Sequence, residues 1–334
     1  MSGVPAQLGA RFYRENLSPQ GKQAYDAIYR QQLRRDFSGV CTMRPAPAAC
    51  EPTELFAAYK AVRDDHPECF WLGHQPELCR RGSVFTLRYP VLYTPDRIAR
   101  IECQLQKYLS QLTDGIGGLP VLERERLIYE RLARNLRFRN HQDARDHNIV
   151  GPVLLHEGVC EGQNALLLLG LRAAGIAAIK IYGRTPSSGW HCWAVAWIGG
   201  CPVHLDVTWD APAAGVVRYN YFNLSDRQIS QKHLAFQAAH IPVCREEGFT
   251  WYRQRGLCAA DRKTLQDMLR RMKKTHAPVL AQLAYTSGTD ELTQEVRAAI
   301  RAAGLSFGVK FYPCAGPQTV LIVKKGGAST CISR

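Results

Sequence analysis

The segment from Cys160 to Ala174 constrains the fold more than any other part of the chain. Its polar opening, Cys160-Glu161-Gly162-Gln163-Asn164, leads into Ala165, four consecutive leucines (Leu166 to Leu169) and Leu171. Alanine and leucine are strong helix formers, and four successive leucines point in every direction around a 3.6-residue turn. A helix that is apolar nearly all round is buried on most sides. Gly175 follows where a helix C-terminus favours left-handed backbone. Strand-like runs come next: Ala177 to Tyr182, His191 to Ile198 and Val203 to Trp209. Gly199-Gly200 separates the last two and is a two-residue hairpin signal.

The rest of the chain can supply the packing that such a helix needs. It has 334 residues, 46% hydrophobic and 22% charged, which excludes a disordered tail, a collagen-like repeat and a coiled coil. The net charge of +14 favours anionic partners in general. However, the 43 cations are strewn along the whole chain, and the densest cluster, Arg270 to Lys274, ends a predicted helix, where cations suit the dipole. A nucleic-acid surface is therefore not expected. No apolar run approaches the length of a membrane span, and the N-terminus lacks the pattern of a signal peptide. The twelve cysteines contain no C-x-x-C pair, so neither a zinc knuckle nor a thioredoxin-type motif is expected. A cytoplasmic protein with reduced thiols is the expectation. The sequence carries no sign of an oligomeric state.

Three regions are expected. Residues 1–115 read as mainly helical: Ser18-Pro19 opens a helix carrying Tyr25, Ile28, Tyr29 and Leu33. Leu55, Phe56, Tyr59 and Val62 mark a second helix. A strand at Phe85, Leu87 and Tyr89 precedes a helix that starts at Thr94-Pro95. Asp114 to Gly118 breaks the pattern. Residues 116–255 hold a helix from about Val121 to Leu136 and then the buried helix with its strands. Residues 260–334 read helix (Lys263 to Lys273), strand (Val279 to Tyr285), helix (Leu292 to Ala303), then strands at Phe307 to Tyr312 and Thr319 to Val323, a small α/β appendage.

Three short segments in the middle region carry chemistry. Gly158-Val159-Cys160-Glu161-Gly162 places a thiol at the start of the buried helix, where unpaired amides favour a thiolate. Gly189-Trp190-His191-Cys192-Trp193 opens a strand with a histidine. His204-Leu205-Asp206-Val207-Thr208-Trp209-Asp210 puts an aspartate in the next strand. A hairpin at Gly199-Gly200 brings His191 and Asp206 side by side. The order supports nucleophilic catalysis: the Cys160 thiolate attacks a carbonyl, His191 exchanges the proton, and Asp206 fixes the imidazole. Strand parity turns Cys192 away from the His191 face and puts Trp193 on it. His204 reads as a partly exposed strand residue. The other histidines, at 66, 74, 141, 147, 156, 233, 240 and 276, show no metal-ligand spacing. The backbone amide of Cys160 is a natural oxyanion donor, with Gln142 and Asn148 as polar candidates for a second.

These segments resemble the bacterial transglutaminase-like branch of the papain-like cysteine peptidase superfamily. The resemblance rests on Gly-Val-Cys-Glu-Gly at 158, the His-x-Trp at 191, Leu-Asp-Val-Thr-Trp-Asp at 205, and the run Tyr219 to Asp226, with His233 beyond it. Asp65-His66-Pro67-Glu68 is a looser echo. It implies an α+β fold, with a Cys-bearing helix packed on an antiparallel sheet that carries the His and Asp, and Cys160, His191 and Asp206 as the triad. It also implies a thiol acyl-transfer enzyme acting on protein or peptide substrates, whether peptidase, amidase or transglutaminase. A catalytically silent interaction module of the same fold is the alternative. Gln163 and Asn164 depart from the aromatic and small residues usual after this cysteine, and Ala194 replaces an asparagine. Gln163, Trp193 and Trp209 are the candidate cleft residues. The Gln163-Asn164 pair is expected to keep the cleft wet, which favours hydrolysis over cross-linking. No cofactor, metal or calcium requirement is expected.

Overall fold

A computed structural model of the protein describes residues 9–43, 51–186, 189–211, 217–235, 240–259, 261–272, 279–283, 289–303, 307–312 and 319–324. It is an α+β fold. The N-terminal part comprises α1 (Phe12–Glu15), α2 (Pro19–Leu33), β1 (Val40–Met43), α3 (Pro52–Asp65), β2 (Glu77–Arg81), β3 (Val84–Arg88) and α4 (Pro95–Leu112). The Ser18 hydroxyl accepts the Gly21 amide at 3.0 Å, with Pro19 at the first helical position, a cap that satisfies one of the orphan donors. Thr94 precedes Pro95 in the same way, but its side chain makes no capping bond. Tyr25 and Ile28 are buried as their spacing predicts, whereas Leu33, on the last turn, is exposed. β1, β3 and β2 form an antiparallel sheet in that order. Only β3 was legible as a strand, because β2 is polar and mostly exposed.

The central part begins with α5 (Val121–Asn135), β4 (Arg137–Phe138), α6 (Val150–Leu155), β5 (Glu157–Gly158) and α7 (Cys160–Ala173). A Schellman motif ends α7: Gly175 adopts φ +75°, and the amides of Gly175 and Ile176 donate to the carbonyls of Arg172 and Leu171, both at 2.9 Å. Leu166, Leu167, Leu168 and Leu171 are all fully buried. The chain continues through β6 (Ala178–Thr185), β7 (Gly189–Ile198), β8 (Cys201–Leu205), α8 (Val207–Asp210), β9 (Phe222–Leu224), α9 (Asp226–Ile229) and β10 (Leu234–Ala235). These strands form an antiparallel sheet in the order β10-β6-β7-β8-β9, and α7 packs on β6 and β7. Gly199 and Gly200, both at positive φ, turn β7 into β8 with Ile198 opposite Cys201.

The expected strand through Trp209 is shorter in the structure. β8 stops at Leu205, and Asp206 caps α8 instead of lying within a strand. Asp206 Oδ1 accepts the amides of Thr208 and Trp209, and this cap overrides the β preference of Val207 and Thr208.

Beyond this lie α10 (Trp251–Gln254), β11 (Cys258–Ala259), α11 (Arg262–Met272), β12 (Val279–Leu283), α12 (Thr289–Ala302), β13 (Phe307–Tyr312) and β14 (Thr319–Lys324). They give a four-stranded sheet in the order β11-β12-β14-β13. Lys273 and residues 284–285, expected to extend α11 and β12, lie outside the described residues. One cluster of buried side chains runs from Ala24 and Tyr25 of α2 through the leucines of α7 to Tyr252 of α10. The break expected near residue 115 falls in the loop between α4 and α5, with members of that cluster on both sides.

Candidate active site

Cys160 is the first residue of α7 and is half-buried. Two residues on, Gly162 lies so close to the preceding loop that a Cβ would meet the carbonyl oxygens of Asp146 and Asn148 at 2.5 and 2.6 Å. The absence of a side chain there lets the start of α7 seat against that loop.

His191 and Asp206 come together at the end of the β7–β8 hairpin. His191 Nε2 lies 2.6 Å from Asp206 Oδ2, and the Asp206 side chain is fully buried. Cys160 also acts on the His191 imidazole, so one ring nitrogen faces a carboxylate and the other is left for sulfur. Burial opposes a charged imidazole, but the Asp206 charge and hydrogen bond and then the Cys160 contact prevail, pushing His191 up to about 10. Burial likewise opposes the Asp206 carboxylate, yet His191 and His233 hold it well below the ordinary carboxylate range.

His233 is the residue that sequence reasoning missed. Its Nε2 lies 2.9 Å from the same Asp206 Oδ2, and its buried Nδ1 has no hydrogen-bond partner. The proton therefore belongs on Nε2, where it is donated to Asp206. Trp209, Trp193, His191 and Tyr221 surround the ring with centroids 4.5 to 5.3 Å away. Counting the two α8 amides, the Asp206 carboxylate faces four donors. Only the run after Tyr219 hinted at His233, because 27 residues separate it from Asp206.

A cleft of about 610 Å³ exposes Cys160, His191, Trp209, Trp190, Asn140 and Phe138 along its walls. Of the expected cleft residues, Trp209 lines it and two others do not. Gln163 is fully buried and donates to the Gly158 carbonyl at 3.1 Å. Trp193 is also fully buried, behind His191, with the rings stacked at 6.1 Å. Asn164, equally buried, ties α7 to the sheet by donating to the carbonyls of Cys160 and Cys192, both at 3.0 Å. The polar pair after the cysteine thus braces the helix and does not wet the cleft. Asn148 bonds Tyr93 and Val150 and, like Gln142, is not among the cleft walls, whereas Asn140 is. His204, expected to be partly exposed, is buried. Its Nδ1 accepts the Trp193 indole N–H at 3.1 Å, and its Nε2 faces Asp226 at 2.9 Å.

Beside the cleft, Glu161 and Asp64 share a buried charge cluster. Lys180 Nζ lies 3.3 Å from Asp64 and 3.7 Å from Glu161, and Asp64 also pairs with Lys60. Arg63, His74 and His147 flank Glu161 at 3.7, 3.7 and 3.3 Å. Burial would raise the Glu161 carboxyl, but the His147 hydrogen bond and the neighbouring cations hold it below its ordinary range.

Among the described residues the fold gathers three groups of potential metal ligands that spacing did not reveal: His74, His147 and Glu161; His191, Asp206 and His233; His204, Asp226 and Cys244. Their donor atoms are already engaged. Arg63 lies 2.7 Å from His74 Nε2, both histidines of the second group bind one carboxylate oxygen, and His204 is bonded at both nitrogens.

A Cys at a helix start facing a His on an antiparallel sheet, with an Asp just past the end of the neighbouring strand, defines a class of thiol-enzyme fold. Residues 110–209 match the family model of the transglutaminase-like superfamily, and the chain accordingly contains a transglutaminase-like domain. The matched stretch includes Cys160, His191 and Asp206. No curated protein matches the sequence. Three solved structures are similar over parts of their length. One, described as a TGase, has 10% identity and a TM-score of 0.31 over 44% of this chain and 47% of that one. A candidate cysteine protease from Cytophaga hutchinsonii has 17% identity and a TM-score of 0.27 over 43% and 64%. A candidate protease from Parabacteroides distasonis has 9% identity and a TM-score of 0.26 over 75% and 62%. The chain thus spans less than two thirds of each. Among the described residues no helix is long and apolar enough to cross a membrane.

Proposed function

We propose that the protein is a thiol acyl-transfer enzyme that cleaves peptide or amide bonds, with Cys160 as nucleophile, His191 as proton carrier and Asp206 as the group that orients it. The observation that carries this reading is the chain of contacts Cys160–His191–Asp206 at the wall of an open cleft. The Cys160 sulfur, its proton held on His191 Nδ1, adds to the substrate carbonyl carbon. The backbone N–H of Cys160, at the first turn of α7, supports the developing oxyanion. As the C–N bond breaks, Nδ1 gives its proton to the departing amine and a thioester remains. Nδ1 then takes a proton from water, whose oxygen bonds to the acyl carbon. The carboxylic product leaves and the thiol is restored. His233 acts through Asp206: its N–H keeps Oδ2 fixed and helps hold the carboxylate ionised.

Water is the favoured acyl acceptor. An apolar channel for a lysine side chain would need walls at the cleft, but the expected cleft residue Trp193 is buried behind His191, while Trp190 at the mouth is 69% exposed. Water at about 55 M outcompetes an amine that the site does not concentrate. The test is incubation of the pure protein with a peptide library and millimolar primary amine in isotopically heavy water, read by mass spectrometry. Label in a new carboxylate is expected. A dominant isopeptide product would replace hydrolysis with cross-linking, and no product from any peptide would favour a silent module.

A further inference from the structure

A second cavity of about 570 Å³ adjoins the cleft and shares Glu161, Tyr182 and Trp190 with it. Most of its wall comes from the N-terminal part: Phe12 and Tyr13 of α1, Phe56, Tyr59, Lys60 and Arg63 of α3, then His74 and Pro76. Every one of these precedes the stretch that matches the family model. We propose that this cavity is a specificity subsite that takes an aromatic side chain of the acyl-donor peptide.

Resting on the hydrolase reading above, the argument concerns what the cavity leaves unsatisfied. Its formal charges already have partners within the protein. Lys60 pairs with Asp64 and lies 3.9 Å from the Tyr182 ring centre. Arg63 faces His74 Nε2 and Glu161. Glu161 is met by His147 and Lys180 as well. The Tyr182 hydroxyl donates to Asp64 at 2.6 Å. An anionic or cationic side chain entering here would find no unpaired counter-charge and would lose its hydration. Apart from the His240 imidazole, what remains is apolar surface, supplied by Phe12, Phe56, Tyr59, Ile181, Trp190 and Ile241. A flat ring matches such walls by stacking and edge contacts, and the volume exceeds what a small aliphatic side chain fills. Continuity with the cleft fixes the occupant as part of the substrate. Trp190, the residue before His191, borders both spaces, so a chain laid across Cys160 can drop one side chain over the Trp190 edge.

The experiment measures kcat/KM for paired peptide amides that carry Phe or Ala at each position around the cleaved bond. Saturation-transfer NMR on the same peptides reads binding without turnover. The full-length protein is compared with Phe56→Asp and Trp190→Ala, both at side chains with solvent contact (37% and 69% exposed), and circular dichroism checks that each variant folds. At one position the native protein is expected to prefer Phe over Ala by about tenfold or more, the scale of discrimination in an apolar pocket. Both variants are expected to cut that preference to less than about threefold, and saturation transfer to the Phe ring should fall with it. A native preference near unity, or one that neither variant moves, overturns the subsite while leaving the hydrolase reading in place. If no peptide is turned over, the hydrolase reading fails separately. The subsite then stands if ring saturation transfer is lost in both variants, and falls if it is unchanged.

Discussion

Asp206→Asn is the substitution whose effect follows most directly from the geometry. Asparagine keeps the capping role, since its oxygen can still accept the Thr208 and Trp209 amides that Oδ1 accepts now at 3.0 and 3.2 Å, so α8 and the fold should persist. The change falls on the other atom. An NH2 at the Oδ2 position would point donors at two Nε2–H groups, those of His191 and His233. To avoid that clash, His191 must move its proton to Nδ1, the tautomer that cannot accept one from Cys160. The carboxylate charge also disappears, leaving only the Cys160 contact against burial, so the imidazole drops well below about 10, and each unit of that fall removes about 1.4 kcal/mol of imidazolium stabilisation. Turnover is expected to fall by ~10³ to 10⁴, as when a triad carboxylate becomes an amide elsewhere. The assay is kcat/KM on a cleaved peptide, alongside the pH profile of Cys160 alkylation by iodoacetamide. In the variant, alkylation should vanish below pH 7. Turnover within tenfold of the native protein, with an unchanged alkylation profile, would refute the argument.

Three further expectations follow from the same structure. Below pH 7, brief iodoacetamide treatment and peptide mapping should show Cys160 labelled ahead of the exposed Cys79 and Cys103, while Cys41, Cys69, Cys192 and Cys244, whose thiols burial pushes up, stay unlabelled; equal labelling of all exposed thiols would sink the nucleophile assignment. Burial raises the Glu125 carboxyl from 4.5 to about 8, against the opposing Asn223 hydrogen bond. Its stabilising contribution is therefore fully present below pH 4.5 and is lost as pH rises through 8. Glu125→Gln should make the protein about 3–5 kcal/mol more stable than native at pH 9 and little different at pH 4.5, which urea melts at both values would check; the same difference at both would be the contrary result. Gly162→Ala should destabilise by about 1–3 kcal/mol and slow Cys160 alkylation, because the loop carbonyls must give way, and a variant with native melting temperature and reactivity would show that the loop yields freely.

Periodicity carried the sequence reading furthest where elements are long and buried. The expected strand His191–Ile198 is β7 at Gly189–Ile198, and the helix expected from Val121 to Leu136 is α5 at Val121–Asn135. Patterning was weaker where a side chain's partner is distant. His204 reads as a surface polar residue by type, yet the indole of Trp193 and the carboxylate of Asp226 let it lie buried in a central strand. Gln163 stands one helical turn from Cys160 and so reads as a cleft residue, but the Gly158 carbonyl draws it inward. His233 was beyond local reasoning, because only the path of the chain after β9 brings it to Asp206. Strands β1 and β2 were not read for a related reason: β1 is only four residues long and β2 is polar and mostly exposed, so their pairing with β3, more than their own pattern, makes them strands.

The buried charge cluster has a consequence for how this protein can be inherited. Lys180 belongs to β6 and Glu161 to α7, inside the stretch shared with a wider family, but Asp64 belongs to α3, outside it. Arg172 of α7 reaches outward in the same way, donating to the carbonyls of Asp65 and Gly9 at 2.6 and 2.7 Å. A gene rearrangement that carried residues 110–209 alone would leave an ammonium in the interior without its second carboxylate, and breaking a buried pair costs about 3–5 kcal/mol. A domain typically has only about 5–15 kcal/mol in all. The helices before residue 66 and the Cys160-bearing core thus depend on one another for stability, and substitutions at Asp64, Glu161 and Lys180 are expected to be tolerated only in compensating combinations.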